Sequence, residues 1–236
     1  MPHLAANRSR VLDMIGREPE LRSHFLWEGI NALVYAVGGM VFIAGSVFFF
    51  PALAAYEDVG AWSFVAGSLI YLVVNLHDAA EIAVQWRQKR RHDLLETVAT
   101  LVYLAGTVLF VVGSALFLSA IDRVVAGAWC FVLGSLLFLV GACVNVLQIV
   151  RQRALATLQL MNLTAISFIA GSLLFAVASV PYLWRVDDAA VRTLLFDYLA
   201  WQFVIGSALF LLGGVFNYWR AWLVMRAELA AAEALS

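Results

Sequence analysis

Long apolar runs alternate with short polar stretches along the whole chain, and six of the runs, at roughly 30–50, 59–80, 97–120, 126–149, 157–180 and 197–220, are each about as long as a bilayer crossing requires. Every run carries one copy of an aromatic-x-x-Gly-Ser-x-x-aromatic pattern. The copies are Phe42-Gly45-Ser46-Phe49, Phe64-Gly67-Ser68-Tyr71, Phe110-Gly113-Ser114-Phe117, Phe131-Gly134-Ser135-Phe138, Phe168-Gly171-Ser172-Phe175 and Phe203-Gly206-Ser207-Phe210. Spacings of three and four place these residues on one helical face. Small residues let two backbones approach in lipid, where packing and interhelical hydrogen bonds hold helices together. The pattern therefore predicts six transmembrane helices, each with a built-in packing face.

The connections predict how the helices pair. Span one runs into Pro51, which ends a helix, and an acidic turn at Tyr56-Glu57-Asp58 leads back into span two. Asp122-Arg123 turns the second pair, and the third pair is joined by the longest loop, 181–197. Trp62, Trp129 and Trp201 stand at the starts of the three returning spans, where an interfacial aromatic belt would place them. LVYAVGGMVFIAGS at 33–46 matches LVYLAGTVLFVVGS at 101–114, whereas the third hairpin is more diverged. Successive two-span repeats keep one orientation, so the expected fold is an all-α, pseudo-threefold bundle of three parallel hairpins. The expected segments are 1–29 (a short amphipathic helix on the membrane surface), 30–80, 81–150 and 151–222 (the hairpins) and 223–236 (a tail). All six Gly-Ser pairs are expected in one layer near the outer turns.

Composition excludes an ordinary soluble domain: 64% of residues are hydrophobic and 13% charged. With the N-terminus placed inside, twelve of the fifteen basic residues fall on inside segments, and only Arg123, Arg185 and Arg192 fall outside. The positive-inside rule then puts both termini in the cytoplasm. The basic stretch at 87–91 reads as a topology determinant facing anionic lipid rather than a nucleic-acid site. Cys130 and Cys143 would lie about 20 Å apart on one helix, too far for a disulfide. The first residues lack the apolar core of a secretory signal. No nucleophile elbow, zincin, C-x-x-C, P-loop or dinucleotide fingerprint is present, so no enzymatic activity and no cofactor are expected.

Polar residues recur on the same face as the glycines. Eleven residues beyond the Gly of each returning helix, about 16 Å nearer the inner side, stand Asp78, Asn145 and Asn217. Three residues further are Glu81, Gln148 and Arg220. Ionisable groups inside a membrane are costly and often mark function. The six residues thus form a candidate ligand or ion site, an interhelical clamp, or a solvated mouth, with Glu81 and Arg220 able to pair. His77 adds a His77-Asp78-x-x-Glu81 cluster of types that bind transition metals.

The hairpins FIAGSVFF with FVAGSLIYL, FVVGSALF with FVLGSLLFL, and FIAGSLLF with FVIGSALFL resemble the YrhK-like family of small bacterial membrane proteins. That resemblance covers most of residues 27–220 as three units. It implies a multi-pass protein of the bacterial inner membrane and carries over no catalytic residue. The expected role is a non-enzymatic protein surrounded by membrane lipids whose bundle binds a lipid, a small ligand or a membrane protein partner. One alternative is a small channel or transporter with a path through Asp78, Asn145 and Asn217. The other is a metal-binding or redox protein using His77, Asp78 and Glu81.

Overall fold

A computed structural model describes residues 21–87, 94–149 and 155–233. Helix α1 spans Leu21–Val47, and a 3-10 turn, Pro51–Tyr56, leads into α2 (Glu57–Arg87). Then come α3 (Leu94–Leu116), α4 (Val124–Ile149), α5 (Leu155–Ser179), a second 3-10 turn (Val180–Leu183) and α6 (Ala189–Glu233). No strand occurs among the described residues. All six helices are long and apolar enough to cross a membrane.

Several boundaries differ from the sequence reading. Residues 21–29 continue α1 rather than forming a separate surface helix; the rest of the expected amphipathic segment, 1–20, lies outside the described residues, as does the basic stretch 87–91 apart from Arg87. Helix α6 has 45 residues, about 67 Å of helix, so it absorbs much of the loop expected at 181–197 and most of the expected tail. Asp188 makes the early start possible. Its carboxylate accepts hydrogen bonds from the backbone N–H groups of Ala190 (2.8 Å) and Val191 (3.0 Å), satisfying donors that a helix start leaves open.

Consecutive helices pack on one another, and α6 returns against α1, so the six helices close a ring. The seam between first and last helix carries a hydrogen bond between the hydroxyls of Ser46 and Ser207 at 3.2 Å. One end of the ring holds the hairpin turns (the turn end); the other holds the links between hairpins (the link end).

The ring is aromatic and polar inside and aliphatic outside. Leu33, Val73, Leu101, Val140, Ile166 and Leu212, one on each helix, are exposed, while the motif phenylalanines and serines are buried. Such an apolar exterior is far larger than the patches soluble proteins tolerate. The motif explains its own interior. In three of the copies the Ser hydroxyl donates to the carbonyl of the Phe four residues back: Ser46 to Phe42 (2.7 Å), Ser114 to Phe110 (2.6 Å) and Ser172 to Phe168 (2.7 Å). A polar side chain is thereby satisfied within its own helix. Each motif Gly meanwhile receives a ring from the facing helix. A Cβ on Gly67 would meet Phe42 at 3.1 Å, one on Gly45 would meet Phe64 at 3.0 Å, and one on Gly134 would meet Phe110 at 2.8 Å. Two antiparallel copies are thus self-complementary, ring into gap.

The Gly-Ser pairs do not form a single layer. In hairpin 1 Gly45 packs on the carbonyl of Gly60, and in hairpin 2 Gly113 packs on that of Gly127. Gly60 and Gly127 each lie seven residues before the motif Gly of their own helix, so the two pairs in a hairpin are staggered by about 10 Å. Hairpin 3 differs: Gly171 packs directly on the carbonyl of Gly206. The residue seven before Gly206 is the buried Leu199. Leu199 thus stands where the other hairpins have a glycine, and hairpin 3 is shifted by two turns.

Candidate functional site

At the link end the structure buries five of the residues singled out from sequence: Asp78 and Glu81 on α2, Asn145 on α4, and Asn217 and Arg220 on α6. The side chain of Gln148 lies outside the described residues. Arg220, only 2% exposed, donates from Nε (3.3 Å) and Nη2 (3.0 Å) to Oδ1 of Asn217 one turn earlier. His77 Nε2 stands 3.3 Å from Glu81 Oε1. Asp78, Glu81 and Arg220 all have interaction partners, as buried charges in a low-dielectric setting require. Among the described residues no three His, Cys, Asp or Glu side chains are placed to share a metal ion, so His77, Asp78 and Glu81 do not converge as a metal centre.

Asn145 does not join Asp78 and Asn217 in a common ring of contacts. Its Nδ2 donates to the Tyr103 hydroxyl at 3.0 Å, and its Oδ1 makes no hydrogen bond among the described residues. Asn75 Nδ2 donates to Thr107 Oγ1 (2.9 Å) and to the Tyr71 carbonyl (3.0 Å), while Thr107 donates to the Tyr103 carbonyl (2.8 Å). These bonds tie α2 to α3 and α3 to α4. Tyr35 stacks on Tyr71 with ring centroids 4.4 Å apart. Tyr35, Tyr103, Asn75 and Thr107 were not picked out from sequence, and Tyr71 only as a motif aromatic. A signal existed, since Tyr35 and Tyr103 occupy the same place in the two matching stretches LVYAVGG and LVYLAGT.

Between this polar end and the turns the ring axis is filled with phenyl groups. Phe64 of α2 lies 6.0 Å from Phe131 of α4, 6.1 Å from Phe175 of α5 and 6.1 Å from Phe203 of α6, centroid to centroid. Phe110 reaches Phe175 at 5.6 Å, and Phe138 reaches Phe210 at 6.1 Å. Among these rings lies a cavity of about 10 Å³ beside Ser68 and Thr107, the size of one water. Ser68 and Ser135 are buried, and their hydroxyls have no hydrogen-bond partner among the described residues. Among the described residues no ring of serine hydroxyls lines an open path.

A larger cleft opens at the turn end. It has a volume of about 390 Å³ and lies between the end of α1, the first 3-10 turn, and the α6 extension. Phe48, Phe49, Phe50, Tyr182 and Phe196 supply its aromatic wall; Glu57, Arg192 and Thr193 are polar groups on its exposed rim. Tyr182 is held by Phe117 (5.4 Å) and Phe196 (4.8 Å), and the Arg192 guanidinium lies 5.5 Å from the centre of the Phe196 ring. The early start of α6 at Ala189 builds this cleft. Sequence reading placed Glu57 in a turn and Arg192 in a loop and could not see that they line one space.

Comparison with known families places residues 26–81 and 93–150 in matches to the model for YrhK-like protein. The chain therefore carries two tandem YrhK-like units, which are hairpins 1 and 2; hairpin 3 lies outside both matched segments. A search of curated proteins found no match, nor did a search of solved structures.

Proposed function

We propose, from the premise that the chain is YrhK-like over residues 26–81 and 93–150, that it is a non-enzymatic protein of the bacterial inner membrane that binds a lipid or small amphiphile at its turn end. Both termini face the cytoplasm in this reading, as the concentration of basic residues at the link end supports. Hairpin 3, which repeats the aromatic and Gly-Ser pattern, is read as a diverged third unit that completes a pseudo-threefold ring.

The observation that carries the binding reading is the cleft of about 390 Å³ with an aromatic wall and a charged rim. Small-molecule sites have this character: volumes of about 300–1,000 Å³, mostly apolar linings and a few placed polar groups. Exposed Trp201, packed on Phe50 at 5.3 Å, marks the depth of the headgroups beside it. A transport path from the Gly-Ser pairs to Asp78, Asn145 and Asn217 is disfavoured by the phenyl-filled axis. If such a path opens by ring movement, Asp78→Asn will change ion flux into liposomes.

Native mass spectrometry of the detergent-purified protein, with metal analysis on the same sample, tests the proposal. A retained lipid or small amphiphile that is lost in Phe196→Ala is the expected result. A wild-type protein that carries no adduct and takes none up from added lipid refutes it. One metal per chain would instead return His77, Asp78 and Glu81 to the centre.

A further inference from the structure

We infer that the turn-end cleft selects a zwitterionic phospholipid, with the phosphate at Arg192, the ammonium at Glu57 and an acyl chain along the phenyl wall. This rests on the proposal that the cleft binds an amphiphile, and it names the headgroup. One fixed anion and one fixed cation stand on the same rim, contributed by different helices, α2 and α6. No side-chain hydrogen bond or salt bridge of either residue occurs among the described residues, and the two opposite charges attract each other across the rim. The neighbouring acid is already engaged: Asp58 accepts from the Ser119 backbone N–H at 2.8 Å and from the Ser119 hydroxyl at 2.5 Å. Glu57 is therefore the carboxylate left to the cleft.

The chemistry on the rim matches both charges of one headgroup. A guanidinium presents several N–H donors in a plane that fits phosphate oxygens. Arg192 is laid against the Phe196 ring, which limits its swing and keeps it on the wall. A carboxylate favours an ammonium and repels a second anion, so an anionic headgroup such as phosphoglycerol meets only one complementary charge. Arg192, Thr193, Phe196 and Tyr182 all come from hairpin 3, outside the two family-matched segments. Phosphate and acyl-chain binding is thus assigned to hairpin 3, outside the matched segments, and selection against a second anion to Glu57 of hairpin 1.

The test uses the full chain, delipidated in detergent and titrated with phosphatidylethanolamine and phosphatidylglycerol of identical acyl chains, with bound lipid counted by native mass spectrometry. The wild type is expected to prefer phosphatidylethanolamine by about tenfold. Glu57→Gln should bring the two lipids to near-equal binding by raising phosphatidylglycerol uptake, a gain that misfolding cannot produce. Arg192→Gln should weaken both. Equal wild-type binding of the two lipids, or an unchanged preference in Glu57→Gln, overturns the headgroup assignment. Where that equal binding is still lost in Phe196→Ala, the cleft remains the lipid site and only selection falls. Binding that Phe196→Ala leaves intact for both lipids sinks the cleft reading as a whole.

Discussion

Phe64→Ala is the sharpest perturbation of the aromatic axis. The ring is fully buried (0% exposed) and has five ring neighbours, one on each of four other helices and Phe49 in the turn after α1. Phe42 and Phe49 stand at 5.0 Å, Phe131 at 6.0 Å, and Phe175 and Phe203 at 6.1 Å. In a water-soluble core the change would cost about 3–5 kcal/mol. Lipid removes part of that cost, because a dissociated helix still keeps the ring among acyl tails. What remains is ring packing, and five pairs at about 0.5 kcal/mol each give about 2.5 kcal/mol. That corresponds to a fall of about 70-fold in the ratio of folded to unfolded protein. Equilibrium unfolding in mixed micelles of rising SDS fraction, followed by tryptophan fluorescence, measures it. Phe64→Leu keeps most of the volume and should cost about 1 kcal/mol. Leu69→Ala on the same helix removes a side chain that is 46% exposed, and should stay within about 0.5 kcal/mol. If Phe64→Ala proves no worse than Leu69→Ala, the rings do not hold the bundle together and the axis is not packed as described.

Other substitutions probe the remaining contacts by the same unfolding assay. Gly134→Ala should destabilise by about 2 kcal/mol, because its Cβ would meet the Gly106 carbonyl at 3.0 Å and the Phe110 ring at 2.8 Å. Gly29→Ala, whose Cβ would find only the Tyr218 hydroxyl at 3.9 Å, should be neutral or up to about 1 kcal/mol stabilising; equal costs for the two would show that close approach does not govern the glycines. A double-mutant cycle on Ser46→Ala and Ser207→Ala should give about 0.6 kcal/mol of coupling across the α1–α6 seam, and zero coupling would remove that bond from the closure of the ring. Asn145→Ala should cost about 1 kcal/mol, and a cycle with Tyr103→Phe should show that the loss is shared with the Tyr103 hydroxyl. Additive losses would refute the pairing.

Much of the link-end polar set was legible because burial there follows helical period. Residues eleven apart from an inward-facing Gly must also face inward, and Asp78, Asn145 and Asn217 are buried. Their partners were not legible. Asn145 meets Tyr103 from the neighbouring helix, which no spacing within α4 can announce. The turn-end cleft escaped for a similar reason, since Glu57 and Arg192 are 135 positions apart and meet only when the ring closes.

By itself the sequence determined six apolar helices, their pairing into hairpins, and the face each one packs with. These follow from lengths and periods that a single segment carries. Tertiary structure alone decided the axial offset of each hairpin, the meeting of α1 with α6, and whether the axis is open or filled. The physical reason is a degeneracy: seven residues are nearly two full turns, so a helix can slide by that amount and present the same face. Hairpins 1 and 2, with glycines at 60 and 127, take one register, and hairpin 3, with Leu199 in that place, takes the other, a difference that shows only once the helices are packed.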